Sequence, residues 1–265
     1  MNKNLNKILG LAVVAAMFSL NACKDDTTPT PGPTPGETTT KTCKVASSLD
    51  SDGLRYDFTY DGANLVKVVE SEDGTTSTSD FVYVAGKLDQ INQGSYTYQL
   101  VYTNGKVSRI DEKFQGDLEG YYNVTYNANG KLAMVDYFYS DGVGDMLTQR
   151  YTYSWSGDNI SKVVNIYDFD DNGELDPDED YVIEINLTAF DNNPSPTYGL
   201  PIYLVDFGDV VALSKNNPTS GTLTIDGTPL PISGVNTTNS DGYTSQSKMT
   251  AAGSTTTTNF TYTCE

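Results

Sequence analysis

One phrase, written five times, constrains this chain more than anything else in it: an aromatic residue, a short glycine-containing turn, an aliphatic residue, and a second aliphatic three positions later. The copies are Tyr60-DGAN-Leu65-VK-Val68, Tyr83-VAGK-Leu88-DQ-Ile91, Tyr102-TNGK-Val107-SR-Ile110, Tyr126-NANGK-Leu132-AM-Val135 and Trp155-SGDN-Ile160-SK-Val163. The first aliphatic of each copy follows the last at intervals of 23, 19, 25 and 28 residues. That interval is one β-hairpin long, and Asp61-Gly62, Asn104-Gly105 and Asn129-Gly130 accept the positive φ that tight hairpin turns require.

The segments entering the turns alternate with period two. Tyr56, Phe58 and Tyr60 point one way while Arg55, Asp57 and Thr59 point the other, and the pattern recurs in Tyr96, Tyr98, Leu100 and Tyr102, in Tyr122, Val124 and Tyr126, and in Tyr151, Tyr153 and Trp155. Such alternation marks a sheet with one buried and one wet face. The two aliphatics after each turn are three apart, which a regular strand cannot place on one face, so a bulge or strong twist is expected there. No helical periodicity of useful length is present. The expectation is an all-β fold, an antiparallel meander of repeated hairpins curving into a barrel-like sheet, with a β-sandwich as the alternative.

The chain begins with a secretion signal. Lys3 and Lys7 precede an apolar run from Ile8 to Leu20, and Leu20-Asn21-Ala22-Cys23 closes it. The run is too short for a permanent membrane span. Its ending resembles a bacterial lipobox, which implies cleavage after Ala22 and a lipid on Cys23. Lys24-Asp25-Asp26 is similar to the export signal of surface lipoproteins in Bacteroidetes-type bacteria. Thr27 to Thr40, TTPTPGPTPGETTT, has almost nothing to bury and reads as a semi-rigid linker. The expected organisation is a signal peptide over 1–22, a lipidated cysteine and linker over 23–41, and a single all-β repeat domain over 42–265.

The repeats are similar to the tyrosine-rich YD repeats of Rhs-type shells. They are more closely similar to a Bacteroidetes family of lipoproteins of unknown function with a porin-like fold. The likeness extends to Asp191-NNPSPTYGLP-Ile202 and Leu213-SKNNPTSG-Thr222, and to the Cys264 ending. It implies a curved, barrel-like antiparallel sheet at the outer membrane, exposed on the cell surface, and implies no activity. A true membrane-spanning barrel is disfavoured, because its outward face would carry tyrosine throughout instead of aliphatics bounded by two aromatic girdles.

With Cys23 committed to lipid, Cys43 and Cys264 bracket the domain. In an oxidising compartment they are expected to be bridged.

Composition excludes some functions. Removing residues 1–22 takes away two of the 16 basic residues and none of the 35 acidic ones, leaving a formal charge of −21. Nucleic acid is therefore not an expected partner. The chain has no histidine, which removes histidine-dependent triads and histidine zinc sites. Lys87, Lys106 and Lys131 each follow a glycine, but Leu88, Val107 and Leu132 come next where a phosphate loop needs Ser or Thr. An enzyme is not expected. Binding or structural work is, with a glycan or a protein as ligand, and a carbohydrate-capturing or carbohydrate-processing role in glycan uptake as the alternative.

One local motif carries candidate chemistry. Asp168 to Glu179, DFDDNGELDPDE, fits a twelve-residue calcium loop: Asp168, Asp170 and Asn172 at positions 1, 3 and 5, the Glu174 carbonyl at 7, Asp176 at 9 and Glu179 at 12. Its flanks are β-rich, so only the loop is alike. The same residues also read as one more turn of the repeat, Tyr167-DFDDNGE-Leu175, lengthened and acidic. Sequence leaves Ca2+ and the plain turn both open.

Overall fold

In the computed structural model, which describes residues 42–140, 142–168, 172–178 and 180–264, sixteen antiparallel strands close into one barrel. The first eight are β1 (Cys43–Asp50), β2 (Arg55–Asp61), β3 (Asn64–Glu72), β4 (Thr75–Val84), β5 (Lys87–Gln93), β6 (Tyr96–Thr103), β7 (Lys106–Phe114) and β8 (Asp117–Tyr126). The second eight are β9 (Leu132–Ser140), β10 (Asp145–Ser156), β11 (Asn159–Tyr167), β12 (Tyr181–Pro194), β13 (Asn216–Ile225), β14 (Thr228–Thr238), β15 (Thr244–Ala251) and β16 (Ser254–Cys264). Every strand pairs with its sequence neighbours, and β1 pairs with β16 to close the seam. The barrel-like meander is therefore the correct alternative, and the sandwich is not.

The repeat explains the local geometry. In all five copies the ladder register shifts at the aromatic: before Tyr60, Tyr83, Tyr102, Tyr126 and Trp155. The shift is a bulge that sets two residues of one strand against three of the next. Leu65 pairs with Tyr60 and Val68 with Phe58, so both aliphatics face inward despite their spacing. Leu65, Ile91, Ile110, Val135 and Ile160 are consequently 0–1% exposed.

The lysines that fail as a phosphate loop serve as staples between hairpins. Lys106 lies 4.7 Å from the Tyr126 ring centre and donates to the Gly130 carbonyl at 2.9 Å. Lys131 does the same to Trp155 and Gly157, and Lys44 to Tyr60 and Gly62. Lys87 sits over Tyr102, whose hydroxyl donates to the Leu88 carbonyl at 2.5 Å, as the Trp155 indole does to that of Leu132 at 2.7 Å. Each cation over an aromatic face contributes about 0.5–1 kcal/mol at such exposed sites.

Alternate register positions face outward, and these carry the ion pairs Lys67–Asp80, Arg109–Asp111, Arg150–Asp136 and Lys162–Glu184 at 2.5–3.3 Å. Lys67–Asp80, exposed on both sides, contributes little stability, whereas Asp136 is buried beneath Arg150. The pairs stud the wall with charge at mid-height, where the lipid-facing wall of a membrane barrel is apolar. The tyrosine stripes turn into the barrel, against the core. The wall is inverted relative to a membrane channel, apolar and aromatic inside and polar outside.

A sixteen-stranded barrel is too wide for its own side chains to fill. The connection from β12 to β13 fills it instead. It enters the lumen with a 3-10 turn at Pro201–Leu204 and a four-residue helix at Val210–Leu213, burying Leu204, Phe207, Ala212 and Leu213 against the inward aliphatics of β3 to β11. Both Asn-Pro segments anchor this plug. The Asp191 carboxylate accepts from Asn193, Asn217 and Asn236 at 3.0–3.3 Å, and the Asn216 amide donates to Asn159 at 2.9 Å.

Candidate functional site

The turns of the repeat, the start of β1, the end of β16 and the plug lie at one end of the barrel, called lower here. The plug stops partway, and its tip, residues 206–209, forms the floor of an upper chamber. Phe207 packs on Tyr122 and Tyr151 with ring centres 5.3 and 6.1 Å apart, and its carbonyl accepts from the Tyr153 hydroxyl at 2.8 Å. Above the floor the inward positions of the wall are polar and aromatic. Tyr122 packs on Tyr137 at 4.5 Å, the Tyr98 hydroxyl donates to Glu112 at 3.3 Å, and Gln149 donates to Tyr151 at 2.7 Å and to Asn165 at 3.1 Å. Gly120 makes this crowding possible. A Cβ there would sit 2.6 Å from the Tyr137 hydroxyl and from the Phe138 carbonyl.

Tyr56, Tyr122, Tyr137 and Tyr151 occupy inward register positions and Asp206 and Asp209 the tip of the plug, yet all six are only half-buried. The chamber is therefore real space and not packed core. Burial pushes the phenols of Tyr122 and Tyr151 well above the ordinary tyrosine range, with Glu112 adding to the first and Tyr167 to the second. These hydroxyls stay protonated donors at any physiological pH. Burial also raises the Asp206 carboxyl and pushes Asp209 up to about 6.

Among the described residues, the lysines and arginines of the strands all occupy outward register positions. The chamber wall thus offers phenol rings, amides and carboxylates but no cation. A separate cleft of ≈ 220 Å³ lies at the lower end between Tyr126, Trp155, Tyr198 and Tyr203.

Of the residues singled out from sequence, Cys43 and Cys264 form the expected disulfide, joined across the β1–β16 seam with Cα atoms 4.0 Å apart. Asp241 lies within ligand distance of both sulfurs, but sulfurs bonded to each other do not ligate a metal. Cys23 lies outside the described residues, as do Asp170 and Glu179 of the acidic loop. The rest of that loop joins β11 to β12 at the upper end. Asp168 is buried, and its carboxylate accepts from the amides of Asn172 at 3.2 Å and Gly173 at 2.7 Å. Asn172 accepts from the Glu174 amide at 2.6 Å, and Asp176 from that of Asp178 at 2.9 Å.

The sequence reading missed the chamber floor. Asp206 and Asp209 are unremarked acids in an acidic chain, and only the non-local placement of the plug sets them inside a barrel. The Asn-Pro segments flanking them were the available signal.

Fold and site together define a plugged, closed antiparallel barrel with a polar outer wall and an upper chamber. The fold is similar to that in the crystal structure of a porin-like protein from Bacteroides uniformis, at 15% identity and a TM-score of 0.53, covering 84% of this chain and 96% of that one. It is also similar to a porin-like protein from Bacteroides vulgatus, at 12% identity and a TM-score of 0.56, covering 84% and 99%. At such identities the likeness establishes the fold. No family model matches the chain, and no curated protein is significantly similar to it.

Proposed function

We propose that this protein is a lipid-anchored protein of the outer-membrane surface that captures an extracellular ligand in the upper chamber, by binding and not by catalysis. The observation that carries this is the chamber itself: accessible space, walled by tyrosines and floored by the plug, of the concave and mostly aromatic kind that ligand sites favour. The lipobox-like Leu20-Asn21-Ala22-Cys23 supports tethering, and the charged outer wall supports a tether over a membrane-spanning role. The porin-like description of the two Bacteroides structures supports an envelope location. Tyrosine faces stack on sugar rings, which favours a glycan as the ligand class.

Cys23→Ala is expected to move the protein from the membrane to the soluble fraction without the lipid mass shift. That soluble form is then titrated with a panel of oligosaccharides and peptides, following intrinsic tyrosine fluorescence. Saturable binding that Tyr122→Ala weakens at least tenfold is the expected result. Retention of the mutant in membranes sinks the anchor, and a flat response across the panel sinks capture.

The loop from Asp168 to Glu179 is assigned Ca2+ as a weak extracellular site, with a dissociation constant on the order of 10⁻⁴ to 10⁻³ M. Millimolar calcium is expected to raise the melting temperature over that in chelator, by mass action on the folded state. Asp168→Ala with Glu179→Ala should remove the increment. Identical melting with and without calcium identifies the loop as an acidic turn.

A further inference from the structure

The chamber's charge is one-sided. Glu70 of β3 contacts Tyr56, Glu112 of β7 joins Tyr98 and Tyr137, and Asp206 and Asp209 stand on the floor. No lysine or arginine among the described residues pairs with either floor aspartate. Both aspartates are only half satisfied. Asp209 accepts the amides of Val211 and Ala212 on one oxygen, at 2.9 and 3.0 Å, and Asp206 accepts that of Gly208 on one oxygen at 3.0 Å. Among the described residues the second oxygen of each accepts no hydrogen bond, and neither is a buried orphan, so both keep accessible surface at the tip of the plug. The way in is acidic as well. The upper turns carry Asp50, Asp52, Asp73, Asp117 and Asp226 against the cations Arg55 and Lys113, and Arg55 is paired with Asp57.

Resting on the capture reading above, we propose that the chamber's ligand bears a primary ammonium group, held between the open oxygens of Asp206 and Asp209 while its carbon skeleton stacks on Tyr122 and Tyr151. Carboxylate acceptors and phenol faces both attract an organic cation, and a cationic ligand supplies the countercharge the wall lacks. The acidic mouth speeds its entry by steering. A bare metal ion fits less well. Among the described residues no three chamber carboxylates converge within 4.8 Å. Two sources present this chemistry, an aliphatic polyamine and an amino sugar, and they differ in the ring that stacking needs.

The test uses the unlipidated Cys23→Ala protein and isothermal titration with spermidine, a glucosamine oligomer, its N-acetylated counterpart and a galacturonate oligomer. The glucosamine oligomer or spermidine is expected to bind at least tenfold more tightly than the N-acetylated oligomer. The affinity should fall with salt, and that of spermidine, whose primary amines stay protonated throughout, should fall again between pH 8 and pH 5, as Asp209 takes up a proton near 6. The ionisable groups around Asp209 are Asp206 beside it and Tyr56 of β2, with Glu70 reached through Tyr56; of the elements the plug helix touches, the 3-10 turn offers Tyr203 and the inward face of β11 offers Tyr167, both raised above the ordinary tyrosine range, and the inward face of β13 offers none. Asp206→Asn with Asp209→Asn keeps the amide-accepting oxygens and should lower ammonium binding tenfold or more without changing binding of the N-acetylated oligomer. If that variant does not fold, the wild-type salt and pH dependence decides alone. Equal or tighter binding of the N-acetylated or galacturonate oligomer overturns the charge assignment and leaves capture standing. No binding by any of the four overturns both.

Discussion

Removing the Cys43–Cys264 bridge is expected to lower the melting temperature by on the order of 10 °C. The two cysteines are 221 residues apart, so the bridge closes nearly the whole domain into a loop. In the chain-entropy model a loop of that size stabilises by up to roughly 5 kcal/mol, although measured values often fall short. For a domain this long each kcal/mol moves the midpoint by about 2–4 °C. The cysteines also sit where β1 meets β16, the contact whose formation closes the barrel. Cys43→Ser with Cys264→Ser should therefore melt less cooperatively as well as earlier. Scanning calorimetry of the oxidised protein, the reduced protein and the double mutant measures this. Superimposable oxidised and reduced transitions would show that the strand ladder alone holds the seam.

Phe207→Ala should produce an effect of similar size by another route. Phe207 is 3% exposed and packs between Tyr122 and Tyr151 at the tip of the plug. Truncating a buried phenylalanine costs about 3–5 kcal/mol, part of it for the cavity left behind. The wall cannot collapse onto that cavity, because its circumference is set by sixteen hydrogen-bonded strands. The midpoint is expected to fall by roughly 10 °C, with near-ultraviolet tyrosine dichroism reduced and the far-ultraviolet β signal retained. A mutant that melts within 2 °C of wild type would mean the plug does not carry the lower core.

The half of the barrel built from the repeat was legible because its signals are local. Tyr60, Leu65 and Val68 lie within nine residues, and the inward placement of both aliphatics followed from their spacing through the bulge. β12 to β16 gave no comparable signal. Ser254-Thr-Thr-Thr-Thr-Asn259 has no apolar alternation to read, and it is a strand because β15 and β1 present open ladder edges on either side of it. The plug was illegible for a related reason. Pro201 to Leu213 has no helical period long enough to detect, and its apolar residues are buried by strands distant in sequence. Which face of each hairpin is buried could be read from alternation; that this face would become the inside of a closed cylinder, with Asp206 and Asp209 on its floor, depended on contacts no local pattern encodes.

The plug also bears on how such a chain can grow. A sequence made by copying one hairpin is free, as far as its turns, bulges and lysine staples are concerned, to hold any number of copies. Adding a hairpin leaves both termini at the same end and breaks no local rule, but it widens the cylinder. The β12–β13 connection fits one circumference only. A duplication that suits the wall would leave a gap around Leu204, Phe207 and Leu213, and a deletion would force them out. The number of hairpins is thus set by the short non-repetitive segment they enclose, and duplication within this lineage is permitted only where the plug enlarges in step.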